Sequence, residues 1–400
     1  MTDGSNALVQ LPIYMDNHAS TRLDPRVLDA MAPVLRDVFG NAGSTTHVFG
    51  RVAKEAVDAA RQQIAALLGG RPQEIVFTSG ATESNNLAIK GVAAKHGSRG
   101  KHILTVATEH PSLLDPLATL ARAGFEVTIL PVTKAPDARA GLVDVEQVAA
   151  ALRNDTILVS VMLANSEIGA LQPVAEIGHL CRRRGVLLHT DATQAVGKIP
   201  VNVQDLHVDL MSFTAHKIYG PKGVGALWVR RGRPPVRLLP LINGGGQEGN
   251  LRSGTLNTPG IVGFARALQL CADELFPQSI RLRGLRDRLY AGLTTALPGV
   301  LLNGPALLSE QRLPGNLNLS FANVEGESLL MSLGDVALSS GSACASAQPE
   351  PSHVLRALGL ADEVVYSSVR FGLGRFNTAD EVEFTITRIA ETVRRLRAMS

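Results

Sequence analysis

Short β-rich runs alternate with amphipathic helical runs through residue 229, and that alternation leaves few folds open. The β-rich stretches fall at 74–78, 102–106, 125–130, 156–163, 186–190, 208–213 and 225–229. Helix-length segments separate most of them: one behind the Ser79-Gly80 turn carrying Leu87, Ile89 and Val92, then 111–123, 145–153 and 173–184. Strand, helix and strand repeated in this way predict an α/β fold, with a mostly parallel sheet, helices on both faces, and ligands beyond the carboxyl ends of the strands. The last two runs have no helix between them, so one edge of the sheet is expected to be antiparallel. Past Asn243-Gly244-Gly245-Gly246, two long helical patterns follow at 259–275 and 279–296. The rhythm then changes: strands at 316–321, 336–340 and 368–373 mix with helices near 325–333, 351–358 and from 378 onward. This part reads as a smaller α+β domain. The expected division is a large unit over 13–260 and a small one over 261–400, with residues 1–30 packing on the latter.

The chain has 400 residues, 45% of them apolar, enough for a sizeable core and for two domains. A net charge of +3 gives no general attraction to nucleic acid or membrane surfaces. The basic clusters, Arg182-Arg183-Arg184, the arginines from 230 to 237 and Arg394-Arg395, are short and fall at element ends, as solvated faces do. No run reaches the roughly 18 apolar residues of a membrane-spanning helix. Cys181, Cys271 and Cys344 lack paired spacing and residues 1–10 lack an apolar signal core, so a cytoplasmic protein is expected. His110 and His216 have no ligand partners at metal-binding spacing, and no metal site is expected.

The chemistry concentrates at predicted strand ends. The run 209–213 passes through Thr214-Ala215 into His216-Lys217, and Ile218-Tyr219-Gly220-Pro221 stops a helix from following. A lysine presented there and partly desolvated can lose its proton and form an imine with a carbonyl. In Ser79-Gly80-Ala81-Thr82-Glu83-Ser84-Asn85 a strand turns into a helix, whose free N–H groups would face an anion. Equally, Thr82 would serve there as an ordinary helix cap. Asp191, ending another strand, is either a cap or a carboxylate paired with a protonated pyridine nitrogen. His110 follows a third strand, where an imidazole can stack on an aromatic ring and move protons near neutral pH. Four strand-end signals compatible with one phosphorylated pyridine aldehyde favour pyridoxal 5'-phosphate as cofactor. Cys181 and Cys271 fall in helical patterns and read as packing residues. Cys344 instead stands in the small-residue loop Ser339-Ser340-Gly341-Ser342-Ala343-Cys344-Ala345-Ser346-Ala347. An imine-forming amine and a loop thiol together suggest covalent chemistry on a small amino acid.

From Ile13-Tyr14-Met15-Asp16-Asn17-His18-Ala19-Ser20-Thr21 to Arg397 the chain resembles a cysteine desulfurase of the class V aminotransferase family, a group of fold-type I pyridoxal-phosphate transferases. The likeness is carried by Thr78-Ser79-Gly80-Ala81-Thr82-Glu83-Ser84, Thr108-Glu109-His110, Asp191-Ala192-Thr193-Gln194, the segment from His216 to Gly223, Arg252-Ser253-Gly254-Thr255, the Cys344 loop and Val369-Arg370-Phe371. The Cys344 loop is similar to that of the long-loop members, which include the housekeeping (IscS-type) and nitrogen-fixation (NifS-type) enzymes. The resemblance implies that Lys217 carries the cofactor, His110 stacks on its ring as a catalytic group, and Asp191 pairs with the ring nitrogen. It implies Gln194 and Ser166 at the ring hydroxyl, and Ala81, Thr82, Thr214 and His216 at the phosphate. Thr255 would reach the phosphate of a neighbouring subunit, hence a homodimer. Arg370 and Asn165 would hold the substrate L-cysteine. Cys344 would take its sulfur as a persulfide, leaving L-alanine, for delivery to an acceptor protein in iron–sulfur cluster assembly or thiolation.

The chain departs from the family pattern in places. Asn165-Ser166 stands where relatives usually carry two asparagines, so the ring-oxygen contact is expected to be weaker or water-mediated. Ala215 replaces a common glycine. Gln247-Glu248-Gly249-Asn250 lacks the arginine and glycine usual after the acid, which removes a cation near the expected dimer and substrate entrance. Housekeeping relatives continue beyond the Ser400 position with a scaffold-engaging tail, so a different partner mode is expected. The alternative within the fold is a selenocysteine lyase or class V transaminase, against which Cys344 argues. The alternative outside it is a cofactor-free scaffold, against which Lys217, Asp191 and His110 argue.

Overall fold

The computed structural model describes residues 9–232, 234–340 and 351–399. A two-residue strand, β1 (Ile13–Tyr14), precedes helices α1 (Pro25–Asp37) and α2 (Val48–Leu67), neither of which is among the segments picked out above. Helix α1 begins where Asp24 accepts a hydrogen bond from the Arg26 N–H at 2.9 Å and Pro25 fills the first helical position.

The central sheet then forms from β2 (Ile75–Thr78), β3 (His102–Val106), β4 (Glu126–Leu130), β5 (Thr156–Ser160), β6 (Leu187–Asp191), β7 (Leu210–Thr214) and β8 (Gly225–Val229). Helices α3 (Ala81–His96), α4 (Pro111–Arg122), α5 (Val145–Ala151) and α6 (Val174–Arg184) make the crossovers. The strand order is β2-β8-β7-β6-β5-β3-β4, and every pair from β7 to β4 is parallel. Strand β8 runs antiparallel to both β7 and β2. The antiparallel edge expected above is thus present, with β2 pairing along the outer side of β8. Strands β3, β5 and β7 are buried throughout, which is why they read as continuous apolar runs. One face packs against Leu87, Ile89 and Val92 of α3 and Leu113 and Leu117 of α4. The other packs against α2, α6 and α7 (Thr258–Asp273), with Ile64, Ile177 and Phe264 in its core. Helix α7 therefore goes with the large sheet, although it lies mostly beyond the division at 260 expected above.

A second core gathers α8 (Leu275–Ala296) and the C-terminal helix Ala379–Met399 around an antiparallel sheet. That sheet combines β9 (Val300–Leu302), β10 (Asn316–Phe321) and, after β11 (Val336–Ala337), β12 (Ser368–Gly372), in the order β12-β10-β9. Ile13 and Met15 belong to this core, and β1 pairs with β11. Residues 16–24 then bridge the two bodies. Asn17 Nδ2 donates to the Gly372 carbonyl at 2.8 Å, Thr21 donates twice to the His216 carbonyl, and Asp24 pairs with Arg375 at 2.6 Å.

Candidate active site

At the carboxyl end of β2 the chain turns into α3 through Gly80, which caps the helix without any side-chain hydrogen bond. Thr82 sits second in the helix, so the capping alternative does not hold. The first-turn N–H groups lack a side-chain acceptor, and an uncapped helix N-terminus suits an anion. This turn is pressed against its neighbours. A Cβ at Gly225 of β8 would lie 2.7 Å from Gly80 Cα and 2.8 Å from the Phe213 carbonyl oxygen, so only glycine allows the approach. Thr214 Oγ1, bonded to the Val224 carbonyl at 3.0 Å, is 3.9 Å from where a Gly80 Cβ would stand. His216 follows, its Nδ1 3.2 Å from Ser20 Oγ. Burial, then the charges of Lys217, Lys222 and Lys198, lower its pKa to about 4. An uncapped helix end, a close-packed glycine pair and two hydrogen-bonding side chains fit a phosphate group.

Asp191 ends β6 with both carboxylate oxygens engaged. Oδ1 accepts from the Thr193 N–H at 2.9 Å, the turn-capping contact, and Oδ2 accepts from Asn85 Nδ2 at 2.8 Å. Asn85 also reaches Ser112 Oγ at 2.9 Å, and Ser112 Oγ lies 2.9 Å from His110 Nδ1. The Ser112 N–H donates to that same Nδ1 at 3.1 Å, which places the proton of the neutral ring on Nε2. Burial lowers the His110 pKa, Asp191 opposes the shift and Lys217 reinforces it, so the three groups share one electrostatic neighbourhood. Asn85 Oδ1 is buried without a partner. Beneath Asp191, His189 bridges Ser160 and Ser212 at 2.9 Å each, and burial lowers its pKa to about 4. The carboxylate thus rests on neutral groups, and a protonated pyridine nitrogen would supply its counter-charge.

Lys217 closes the short helical turn after β7, and its Nζ donates to the carbonyls of His18 at 2.8 Å and Ala19 at 2.5 Å. Gln194 Nε2 donates to the same His18 carbonyl at 2.9 Å, while its Oε1 meets His18 Nδ1 at 3.1 Å and Lys198 Nζ at 2.5 Å. Arg370, on β12, is buried; its Nη2 bonds Asp16 at 2.8 Å and Ser339 Oγ at 3.1 Å, while its Nε has no partner among the described residues.

Not every expected residue stands ready for a ligand. Asn165 Nδ2 donates to the Thr108 carbonyl at 3.0 Å and its Oδ1 accepts the N–H groups of Glu167 and Ile168. It is buried and holds its own turn. Ser166 is half-buried, its carbonyl accepting from Asn316 at 3.3 Å. Thr255 is exposed. The altered 247–250 turn is anchored instead by Glu248, whose buried carboxylate takes both Arg61 nitrogens and the Phe77 N–H at 2.7 Å. Cys344 and the rest of 341–350 lie outside the described residues, but both flanks meet the site. Ser339 contacts Arg370, Ser352 Oγ donates to Glu167 at 2.5 Å, and His353 Nε2 meets the Glu109 carbonyl at 2.8 Å. His18, Asn85, Lys198 and Glu109 are neighbours that sequence reasoning gave no role. Glu109 is buried, with Oε1 accepting from the Met162 N–H at 2.6 Å and Oε2 unpartnered, and burial holds its pKa well above the usual range.

Residues 13–384 match the aminotransferase class-V family. The cysteine desulfurase IscS of Anaeromyxobacter dehalogenans (strain 2CP-C) is 54% identical over 98% of this chain and 95% of its own length. A solved NifS-like protein superposes with a TM-score of 0.87 at 38% identity, over 96% of this chain and 100% of its own. SspA, solved in complex with cysteine, superposes with a TM-score of 0.78 at 35% identity, over 92% of this chain and 100% of its own. The chain therefore belongs to the cysteine desulfurases of the class-V aminotransferase family.

Proposed function

We propose that this protein removes sulfur from L-cysteine with the help of pyridoxal 5'-phosphate, forming L-alanine and a persulfide on Cys344. The observation that carries the reading is the shared neighbourhood of Lys217, Asp191 and His110 beside an uncapped helix N-terminus. When bound, the cofactor supplies an electron sink for the substrate α-carbon. The α3 N-terminus, Thr214 and His216 would hold its phosphate, Asp191 its ring nitrogen and Gln194 its ring hydroxyl. Arg370 offers a planar fork, with an unpartnered Nε, to the substrate carboxylate. Lys217, once freed as an amine, takes the α-proton. The Cys344 thiolate attacks the substrate sulfur; a sulfur–sulfur bond forms as the carbon–sulfur bond breaks, and the three-carbon remainder gains protons and leaves as L-alanine. The other two thiols are poor nucleophiles: burial pushes Cys181 up to about 12 and Cys271 up to about 11.

A homodimer is part of this reading, supported by the exposed apolar residues Leu239, Leu241 and Ile242 on the stretch leading to Thr255. So is a cytoplasmic setting, with an acceptor protein in iron–sulfur cluster assembly or thiolation receiving the persulfide sulfur. Among the described residues no helix is long and apolar enough to cross a membrane. The large unit would be the cofactor-binding domain, and the small unit with the N-terminal segment would carry Arg370 and the Cys344 loop. Incubation of the loaded protein with L-cysteine tests the reading: alanine should appear, and its absence would refute it.

A further inference from the structure

We propose that Lys198 is a positioning residue for this reaction, fixing the Gln194 amide so that its carbonyl faces Lys198 and its N–H₂ group faces the cofactor ring. The inference rests on the desulfurase reading, because Gln194 has a ring to face only if the cofactor is held there.

A glutamine amide has two ends of nearly equal shape, so its orientation is set by its partners. Lys198 stands four residues after Gln194, and in its protonated form it can only donate. Its contact with Oε1 at 2.5 Å therefore fixes which end of the amide is oxygen. His18 Nδ1 lies 3.1 Å from the same oxygen and donates to it in the tautomer that carries its proton on Nδ1. Nε2 is turned the other way, with one hydrogen on the His18 carbonyl at 2.9 Å and the second left for a ring oxygen. That carbonyl also accepts from Lys217 Nζ at 2.8 Å. One backbone oxygen thus sets both the amine that carries the cofactor and the amide that orients it.

The surroundings do not otherwise explain a lysine. Its titratable neighbours are Lys217 after β7, Cys271 on α7, Arg370 on β12 and His18 on the N-terminal segment, and no carboxylate pairs with it among the described residues. Burial, then the charges of Lys217 and Arg370, lower its pKa to about 7 against an opposing effect of Cys271. Lys198 also borders a small cavity lined in part by Tyr219, Cys271 and Leu282. An amine held from water without a counter-ion weakens a fold unless it serves another purpose.

The test compares the loaded wild type with Lys198→Met, Lys198→Arg and Lys198→Met in a Gln194→Ala background, following the pH midpoint of the cofactor's visible absorbance and the melting temperature. Loss of the cation and of the fixed amide should ease protonation of the Lys217–cofactor link, so Lys198→Met should raise the midpoint by about one unit. Lys198→Arg should restore it towards wild type, and in the Gln194→Ala background Lys198→Met should add only the smaller shift that loss of the cation brings directly. Melting temperature should stay level or rise in Lys198→Met. An unmoved midpoint, or an equal shift without Gln194, would overturn the proposal; Lys198→Gln serves the same comparison if the methionine variant does not fold. A wild type without visible absorbance would instead defeat the desulfurase reading itself.

Discussion

Gly225→Ala probes the phosphate cradle without touching any proposed ligand group. Gly225 has an ordinary strand conformation, so alanine brings no backbone strain, only a methyl group. That methyl would stand 2.7 Å from Gly80 Cα, 2.8 Å from Gly80 C and 2.8 Å from the Phe213 carbonyl oxygen, all of them backbone atoms. Carbon atoms settle at about 3.5 Å or more, so the Gly80 turn must retreat by roughly 0.8 Å. Overpacking of this kind costs about 1–3 kcal/mol. A shift of that size also carries the first N–H groups of α3 beyond hydrogen-bond range of a fixed phosphate. Losing one such charge-assisted bond, worth about 1.5–3 kcal/mol, predicts a roughly 10- to 100-fold weaker hold on the cofactor. The assay strips the cofactor, titrates it back and follows visible absorbance. Gly284→Ala, where an added Cβ meets nothing within 4 Å, is the control and should bind as wild type does. A folded Gly225→Ala protein with unchanged cofactor affinity would refute the placement of the phosphate at this turn.

Lys217→Ala should abolish the visible absorbance of the loaded protein; an unchanged spectrum would mean that another amine carries the cofactor. Arg370→Lys should raise KM for L-cysteine about tenfold or more with less effect on kcat, because a point charge replaces a two-donor fork, and an unchanged KM would remove Arg370 from substrate binding. Glu109 has a folded pKa raised first by burial, so it costs no stability below the ordinary carboxyl range and an increasing amount as pH rises towards its folded pKa. Melting temperatures of Glu109→Gln and wild type should therefore diverge in the variant's favour as pH rises above the ordinary carboxyl range; a constant difference would show that Glu109 is ionised in the folded protein.

The frame of the site was legible because parallel strands buried on both faces read as unbroken apolar runs, and function collects where those runs stop. Asp191 and Lys217 lie at or just past such ends, and His110 lies a short turn beyond one. What escaped was whatever depends on contact between distant segments. His18 meets Gln194 across 176 positions and Asn85 meets Asp191 across 106, and no local spacing announces either pair. The backbone groups that the Asn165 amide holds, in its own turn and at Thr108, were equally out of reach of its motif. The antiparallel edge was foreseen, but not that β2 would be its outermost strand, since nothing in β2 itself shows that it will pair outside β8. Helix α1 had a readable start in Asp24-Pro25, but Leu28 and Leu35 are exposed, which blurs its apolar stripe.

The destination of the sulfur tests the central claim most directly. After brief exposure of the loaded protein to L-cysteine, mass spectrometry of its peptides should find one added sulfur on the peptide containing Cys344, in step with alanine formed. Cys344→Ser should still perturb the cofactor spectrum on adding L-cysteine yet gain no sulfur. An added sulfur on Cys181 or Cys271, or alanine released at full rate by Cys344→Ser, would contradict the account.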